Sequence, residues 1–176
     1  LRDFPVRSFL HPVAAEGATA GFSGMIRKAG GIMHGVRPGD GVSMADEVIR
    51  VQACTAKGTA LEISTGPWRI VLVSGWDADL FKTLFENGDE EALHAVLLPS
   101  PGNNPVPIEF DDWVREARPM LVVSPGSSPR MSDLLERERI SFLDPSRVGA
   151  VSFLRKGDHL ELSSFLKGML GFFSYS

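Results

Sequence analysis

Two short loops of nearly the same sequence contain the residues most able to bind a ligand. Residues 100–105 read SPGNNP and residues 124–129 read SPGSSP. Serine hydroxyls and backbone amides at the start of a helix can bind an anion such as a phosphate. The candidate anion-contacting or DNA-contacting residues are Ser100, Gly102, Asn103, Ser124, Gly126, Ser127, Ser128 and Arg130.

The same loops lack the side chains that catalysis usually needs. Neither contains His, Cys, Asp or Glu, so neither supplies a strong metal ligand or a general base. The chain has no Gly-X-Ser-X-Gly sequence to mark a nucleophilic serine. Turn formation and helix capping explain these serines better. The loops therefore predict no catalytic residue.

The surrounding sequence predicts the elements that hold these loops. A β-meander, then alternating helices and strands, then a hairpin indicate an α/β sandwich with a mixed sheet. Strands are predicted over 6–13, 32–36, 48–53, 60–64, 68–74, 93–98, 120–123, 140–143, 150–154 and 159–163. Helices are predicted over 17–29, 77–88, 108–117 and 131–139. Both loops follow strands, which is where α/β proteins build their sites.

Length, charge and cysteine content narrow the class of protein. The 176 residues suffice for one domain, predicted over 1–163, followed by an apolar tail over 164–176 that is either a packed helix or the start of a linker. The net charge of −4 argues against a surface specialised for non-specific nucleic-acid binding, although a local basic groove stays open. The single cysteine, Cys54, lies in an apolar strand and is expected to be a buried, inert thiol.

Targeting signals are absent from the sequence. It has no apolar run of about 18 residues and no apolar signal-peptide region, which predicts a soluble domain. The chain begins at Leu1 rather than at Met, which suggests that upstream sequence was cut away or processed.

Five stretches, in their order and spacing, carry a resemblance to a known family. They are VRPGDGV at 36–42, WRIVLVSG at 68–75, VLLPSPG at 96–102, PMLVVSPG at 119–126 and DPSRVGAV at 144–151. Together they resemble the C-terminal half of the metallo-β-lactamase-like domain of the ComEC competence (DNA-uptake) family, over roughly residues 4–163. The resemblance implies the second half of an αββα sandwich, with the first half absent or truncated.

The resemblance also implies a degenerate metal site. The family would use zinc or manganese at the strand ends, but Trp76 stands at its aspartate position, and Ser100 and Pro101 stand at its histidine positions. Tryptophan, proline and neutral serine do not bind these metals, so no cofactor is expected. A bulky indole at position 76 would fill the metal cavity. Asp77, one residue further on, and His94 are weak substitute ligands.

The remaining candidate ligands are other histidines. No pair has metal-ligand helical spacing, and no His-X-His occurs. His11 and His34 lie on adjacent predicted strands and could face each other in a shared site. Structural or surface roles explain the histidines better, and a helix cap explains Asp77 better.

Three functions follow from these observations. The favoured one is a non-catalytic domain of a ComEC-type protein in DNA uptake and transformation, structural, DNA-contacting or partner-contacting, attached to the bacterial cell membrane on its outer side. The alternative is a metal-dependent phosphodiesterase or nuclease that needs an upstream half or a partner chain and attacks with metal-bound hydroxide. The third is an interaction module, because a half-sandwich leaves the inner sheet face uncovered. Its cover would be the missing N-terminal half, other domains of the parent protein, or a homodimer partner.

Overall fold

A computed structural model describes residues 8–13, 20–88, 92–102 and 105–174. The strands are β1 (Ser8–Pro12), β2 (Ile32–Val36), β3 (Gly41–Met44), β4 (Glu47–Cys54), β5 (Thr59–Thr65), β6 (Trp68–Val73), β7 (Ala95–Leu97), β8 (Leu121–Val123), β9 (Ser141–Leu143), β10 (Val151–Lys156), β11 (His159–Ser164) and β12 (Gly168–Ser174). The helices are α1 (Ala20–Lys28), α2 (Ala78–Glu86), α3 (Ile108–Ala117), α4 (Pro129–Arg137) and α5 (Pro145–Val148).

A seven-stranded mixed sheet in the order β3 to β9 forms the centre of the protein. Strands β3 to β6 are antiparallel, and β6 to β9 are parallel. Two residues join β5 to β6, where Gly66 has a positive φ of 56°, as tight hairpin turns require. Parallel neighbours need longer crossovers, which α2, α3 and α4 provide. The predicted mixed α/β architecture is therefore confirmed.

The three crossover helices cover one face of this sheet. Leu80, Phe81 and Leu84 recur at helical spacing in α2, and all three are buried. They pack with buried side chains of the strands and of the other two helices, namely Val71, Val73, Val96, Val122, Phe110, Trp113, Val114, Met131, Leu134 and Leu135. Each large side chain buried in this way contributes roughly 1.5–3 kcal/mol of transfer free energy.

A second, three-stranded antiparallel sheet, β10-β11-β12, covers part of the opposite face. Leu160 and Leu162 of β11 pack against Trp68, Ile70 and strand residues Ala95, Leu121 and Val123. The inner face that a half-sandwich was expected to leave bare is thus covered over β6 to β8 by the chain's own last strands.

The C-terminal segment was expected to form a packed helix or a linker, but it forms a strand. Gly168–Ser174 is β12 and pairs antiparallel with β11, and Leu170 packs into the core between the two sheets. The free edge of β11 explains this outcome, because an apolar run beside an unpaired strand gains hydrogen bonds as a strand. The division of the chain at residue 163 remains a prediction.

The first part of the chain forms a parallel pair, β1 and β2, joined through α1. This pair lies over the antiparallel part of the central sheet, and an apolar groove of about 560 Å³ separates the two.

Within the described ranges, no helix has the length and apolar character to cross a membrane.

Candidate functional site

The strand ends of β6, β7 and β8 meet at one edge of the sheet, as the two-loop pattern predicts. These strands are parallel, so the segments that follow them, beginning at Ser74, Leu98 and Ser124, leave the sheet at the same edge. This edge is the place where an α/β protein usually binds its ligand. Its chemistry therefore depends on the side chains of these three segments.

Trp76 occupies the strand end after β6. Its Nε1 donates a hydrogen bond to the carbonyl oxygen of Pro99 at 3.1 Å. Its ring lies 5.3 Å from the ring of Phe110 in an edge-to-face arrangement and 5.8 Å from that of Phe81. Aromatic pairs at these distances are attractive beyond their burial. The half-buried indole thus joins the strand end to the core beneath the helices.

Ser124, directly after β8, makes a hydrogen bond to the same carbonyl as Trp76. Its side chain is fully buried, and its Oγ donates to the same Pro99 carbonyl at 3.2 Å. Two donors from the ends of β6 and β8, which flank β7, therefore converge on one acceptor in the segment that follows β7. The hydroxyl that a ligand would use at this position is already engaged.

Asp77 was expected to cap α2, and the structure shows a different role. It stands at the N-cap position, but its side chain makes no capping hydrogen bond. Its Oδ2 instead accepts a hydrogen bond of 2.5 Å from the hydroxyl of Thr55, which lies in the turn between β4 and β5. The carboxylate is buried and fastens this turn to the start of α2.

His94 lies at the opposite end of the strands from Asp77. It precedes β7, where its Nδ1 accepts the backbone N–H of Arg69 at 3.2 Å, and its ring stacks edge-to-face on Trp68 at 4.7 Å. Burial, and secondly the positive charge of Arg69, lower the pKa of His94, so the ring is held neutral. The two proposed substitute ligands therefore do not meet, because parallel strands place them at opposite edges.

His11 and His34 do not form the shared site considered above. In the parallel β1–β2 pair, His34 lies opposite Leu10, and His11 lies opposite Gly35. Successive side chains of a strand point to opposite faces, so an offset of one residue places the two imidazoles on different faces.

The first SPG loop exposes Ser100 and Gly102 to solvent. Ser100 is exposed, and its Oγ accepts the N–H of Gly102 at 3.3 Å, which closes a local turn. Pro101 is buried, and Asn103 lies outside the described residues. The side chains at the matched histidine positions thus form a turn.

The second SPG loop uses its hydrogen-bond donors internally. Ser128 caps α4 by accepting the N–H of Met131 at 3.2 Å, which confirms the capping interpretation. The Gly126 N–H donates to Oδ1 of Asp144 at 3.2 Å, and Ser127 Oγ lies 2.8 Å from Ser132 Oγ. A carboxylate against this loop repels a bound anion, so these contacts do not favour the predicted anion site.

Arg130 is also engaged within the chain. Its Nη1 donates to the Val106 carbonyl at 2.8 Å, and its Nη2 lies 2.7 Å from Oδ1 of the buried Asp111. The second contact is an ion pair that lies outside good hydrogen-bond alignment. Since the guanidinium neutralises a buried carboxylate, releasing it to bind a phosphate would leave that charge unpaired.

The donors at this edge do not fit zinc or manganese. They are an indole, two hydroxyls, a shared carbonyl and two carboxylates, Asp77 and Asp144, that already accept hydrogen bonds. Within the described part of the chain, no group of three or more His, Cys, Asp and Glu side chains could hold a metal ion. A binuclear hydrolase requires several carboxylate or imidazole ligands together.

Cys54 is a half-buried thiol near the end of β2. Its Sγ lies 3.9 Å from the Val36 carbonyl. Burial, and secondly the charge of Asp40, raise the pKa of this thiol. A raised pKa disfavours the reactive thiolate, so the residue lacks the features of a nucleophile.

A buried ion pair on the helix-covered face was missed by the sequence reasoning. Glu62 Oε2 lies 2.6 Å from Arg69 Nη2 and accepts from Gln52 Nε2 at 2.9 Å, while Oε1 accepts from Ser64 at 2.8 Å. The pair borders a cavity of about 50 Å³ beside Trp113 and other residues of α2 and α3. The available signal was a charged residue two positions after Ala60 in β5, and therefore on the same inward face of that strand.

Comparison with known proteins gives similarity to solved structures and no match at the level of sequence. No family model matches the sequence, and no curated protein matches it. Among solved structures, the chain is similar to the metallo-β-lactamase-fold protein YhfI from Bacillus subtilis, with a TM-score of 0.46 and 12% sequence identity. The alignment covers 79% of this chain and 63% of that protein, so the chain spans less than two thirds of its length. Nothing in this similarity concerns ComEC proteins or DNA uptake.

Proposed function

We propose that this chain is a non-catalytic α/β domain in which the usual ligand-binding edge has become part of the packed structure. The observation that carries the proposal is the convergence of Trp76 Nε1 and Ser124 Oγ on the Pro99 carbonyl. The ends of β6 and β8 are thereby linked by hydrogen bonds to one carbonyl group of the protein itself. The domain then acts through its surfaces, as a structural or partner-contacting module.

The proposed origin of the domain is a metallo-β-lactamase-like domain of a ComEC-type DNA-uptake protein, of which this chain is the second half. Its support is the order and spacing of the five sequence stretches given above. In that setting, the domain is held at the outer side of the bacterial membrane by other parts of the parent protein. Its partners are DNA, the N-terminal half, or neighbouring domains.

The test of the non-catalytic proposal is metal content. Protein purified without a metal-binding tag is loaded with excess zinc or manganese, desalted, and analysed by mass spectrometry. Less than a tenth of an equivalent is expected, because the donors at the strand ends are already engaged. One or two tightly held equivalents would overturn the proposal, and loss of that metal in Asp77→Asn, but not in His94→Gln, would place the ion at the strand ends.

Catalysis and DNA contact are tested separately. The chain, alone and joined to its upstream segment, is incubated with labelled single- and double-stranded DNA and either metal. Metal-dependent cleavage would establish the nuclease alternative. Fluorescence anisotropy with the same DNA, at increasing salt, tests contact without cleavage, since binding through phosphates weakens steeply with salt.

A further inference from the structure

The groove between the β1–β2 pair and the central sheet has apolar walls that do not meet. On the sheet side, Val42 lies opposite Ile49 across β3 and β4. Val51 shares the face of Ile49, because alternate residues of a strand point the same way, and it lies opposite Leu61 of β5. On the other side, Leu10 borders the groove from β1. Apolar surface on both walls therefore stays open to solvent, with Leu10 57% exposed and Val42 47% exposed.

The size and lining of this groove are those of a small-molecule site. Such sites are concave, enclose roughly 300–1,000 Å³, and combine apolar walls with a few polar groups that fix the orientation of the ligand. This groove measures about 560 Å³, and three polar side chains border it, those of Ser8, His34 and Asp40. The groove thus has both parts of a binding site.

These three polar side chains are not engaged elsewhere in the fold. Among the described residues, neither the hydroxyl of Ser8 nor the ring of His34 has a hydrogen-bond partner. Oδ2 of Asp40 accepts the backbone N–H of Arg37 at 2.8 Å, while its Oδ1 has no hydrogen-bond partner and its carboxylate no ion-pair partner among those residues. The loops at the strand ends differ, because their hydroxyls already bond within the chain.

Asp40 gives this groove a negative charge. None of the described residues that line it is a lysine or an arginine. The charge acts on the inside of the protein as well, since it adds to the effect of burial in raising the pKa of the Cys54 thiol. A free carboxylate oxygen beside apolar walls complements a cationic N–H donor, because hydrogen bonds between charged groups are the stronger ones.

We propose that the groove binds a small amphiphilic amine. The ammonium group of the ligand donates to Oδ1 of Asp40, and its apolar body lies between Leu10 and Val42. Ser8 and His34, on the β1–β2 wall, are available to further polar atoms of the ligand. The inference rests on this groove alone and does not depend on the proposed function.

The test compares three compounds that share an apolar body and differ in the charge of the head group. Phenylbutylamine, phenylbutanol and phenylbutanoate are titrated into the full chain by isothermal titration calorimetry. The amine should bind as one equivalent with a Kd of about 1 mM or tighter, the alcohol roughly tenfold more weakly, and the acid more weakly still. An amine that does not bind, or that binds no better than the alcohol and the acid, would overturn the proposal.

Substitution of the carboxylate tests the charged contact. Asp40→Asn keeps an acceptor for the Arg37 N–H but removes the charge, so it should weaken binding of the amine roughly tenfold and leave the alcohol unchanged. The matched control is Asp46→Asn, in the exposed turn after β3, which removes the same charge away from the groove and should bind like the wild type. Equal binding of the amine by D40N and D46N would contradict the proposed contact.

A second pair of variants tests whether the ligand lies in the groove. Val42→Gln places a polar side chain in the apolar wall and should weaken binding of the amine roughly fivefold. Met44→Gln, at an exposed position of β3 that does not border the groove, should have no effect. Equal binding by V42Q and M44Q would overturn the proposal. If circular dichroism shows that D40N or V42Q is unfolded, the series of three compounds on the wild type decides.

Discussion

Replacement of Glu62 by glutamine tests how much the buried ion pair with Arg69 contributes to stability. The two side chains are 7% and 12% exposed, and their charged atoms lie 2.6 Å apart. Glu62→Gln keeps the shape but removes the carboxylate charge that lies against the guanidinium. Removing one partner of a buried pair costs about 3–5 kcal/mol, and the partial exposure of Arg69 favours the lower end, about 3 kcal/mol.

The assay is equilibrium unfolding in urea, with thermal unfolding as a second measurement. For a chain of this size, a loss of about 3 kcal/mol lowers Tm by roughly 10 °C. The matched control is Glu161→Gln, because Lys156 Nζ and Glu161 Oε2 also lie 2.6 Å apart, but their side chains are 59% and 26% exposed. That variant should lose no more than about 1 kcal/mol.

The comparison of the two variants decides whether burial sets the magnitude. If E62Q loses less than about 1 kcal/mol, or no more than E161Q, then the reasoning from burial is refuted. A double variant, Glu62→Leu with Arg69→Met, should recover more than half of the E62Q loss, because it removes both charges of the pair.

Three further predictions concern single contacts. Because the pKa of His94 is lowered from its ordinary value of about 6.5, the stability that the neutral ring contributes is present above that pH and is lost as the pH falls below it. His94→Gln should therefore flatten the dependence of the unfolding free energy on pH, measured by urea unfolding at several pH values. Ser128→Ala should cost about 1 kcal/mol in urea unfolding, and Ser128→Asp, which keeps a cap acceptor, much less. Gly75→Ala should cost about 1–3 kcal/mol, because its Cβ would overlap the Lys57 carbonyl, whereas Gly24→Ala, in a helix with open space, should be neutral or stabilising.

The sequence predicts those elements whose side chains repeat with a clear period. The bounds of α3, Ile108–Ala117, agree with the prediction, and Leu80, Phe81 and Leu84 identify the buried face of α2. Strand β3 escapes prediction because four residues with two apolar side chains carry no distinct period. Its conformation is set by pairing with β4, which is a tertiary interaction.

The sequence predicts where the candidate site lies, but not which hydrogen bonds its side chains form. Strand–loop–helix order predicts that the two SPG loops lie at strand ends, and the parallel pairing places them at one edge. The partner of Asp77 is Thr55, 22 residues away, and no local pattern indicates that contact. The placement of His94 at the other edge depends on strand direction, which a list of ligand types leaves out.

The parallel and antiparallel parts of the central sheet differ in how many of their polar groups and apolar side chains already contact the rest of the protein. Over the parallel strands β6 to β8, helices cover one face, the three-stranded sheet covers the other, and the hydroxyl of Ser124 and the indole of Trp76 are bonded at the strand ends. Over the antiparallel strands, β3 leaves backbone groups and Val42 exposed beside an apolar groove. Binding another molecule requires polar groups and apolar surface that the fold does not already use. Contacts with other molecules are therefore expected at the antiparallel part of the sheet, and not at the strand ends where the two SPG loops first suggested a site.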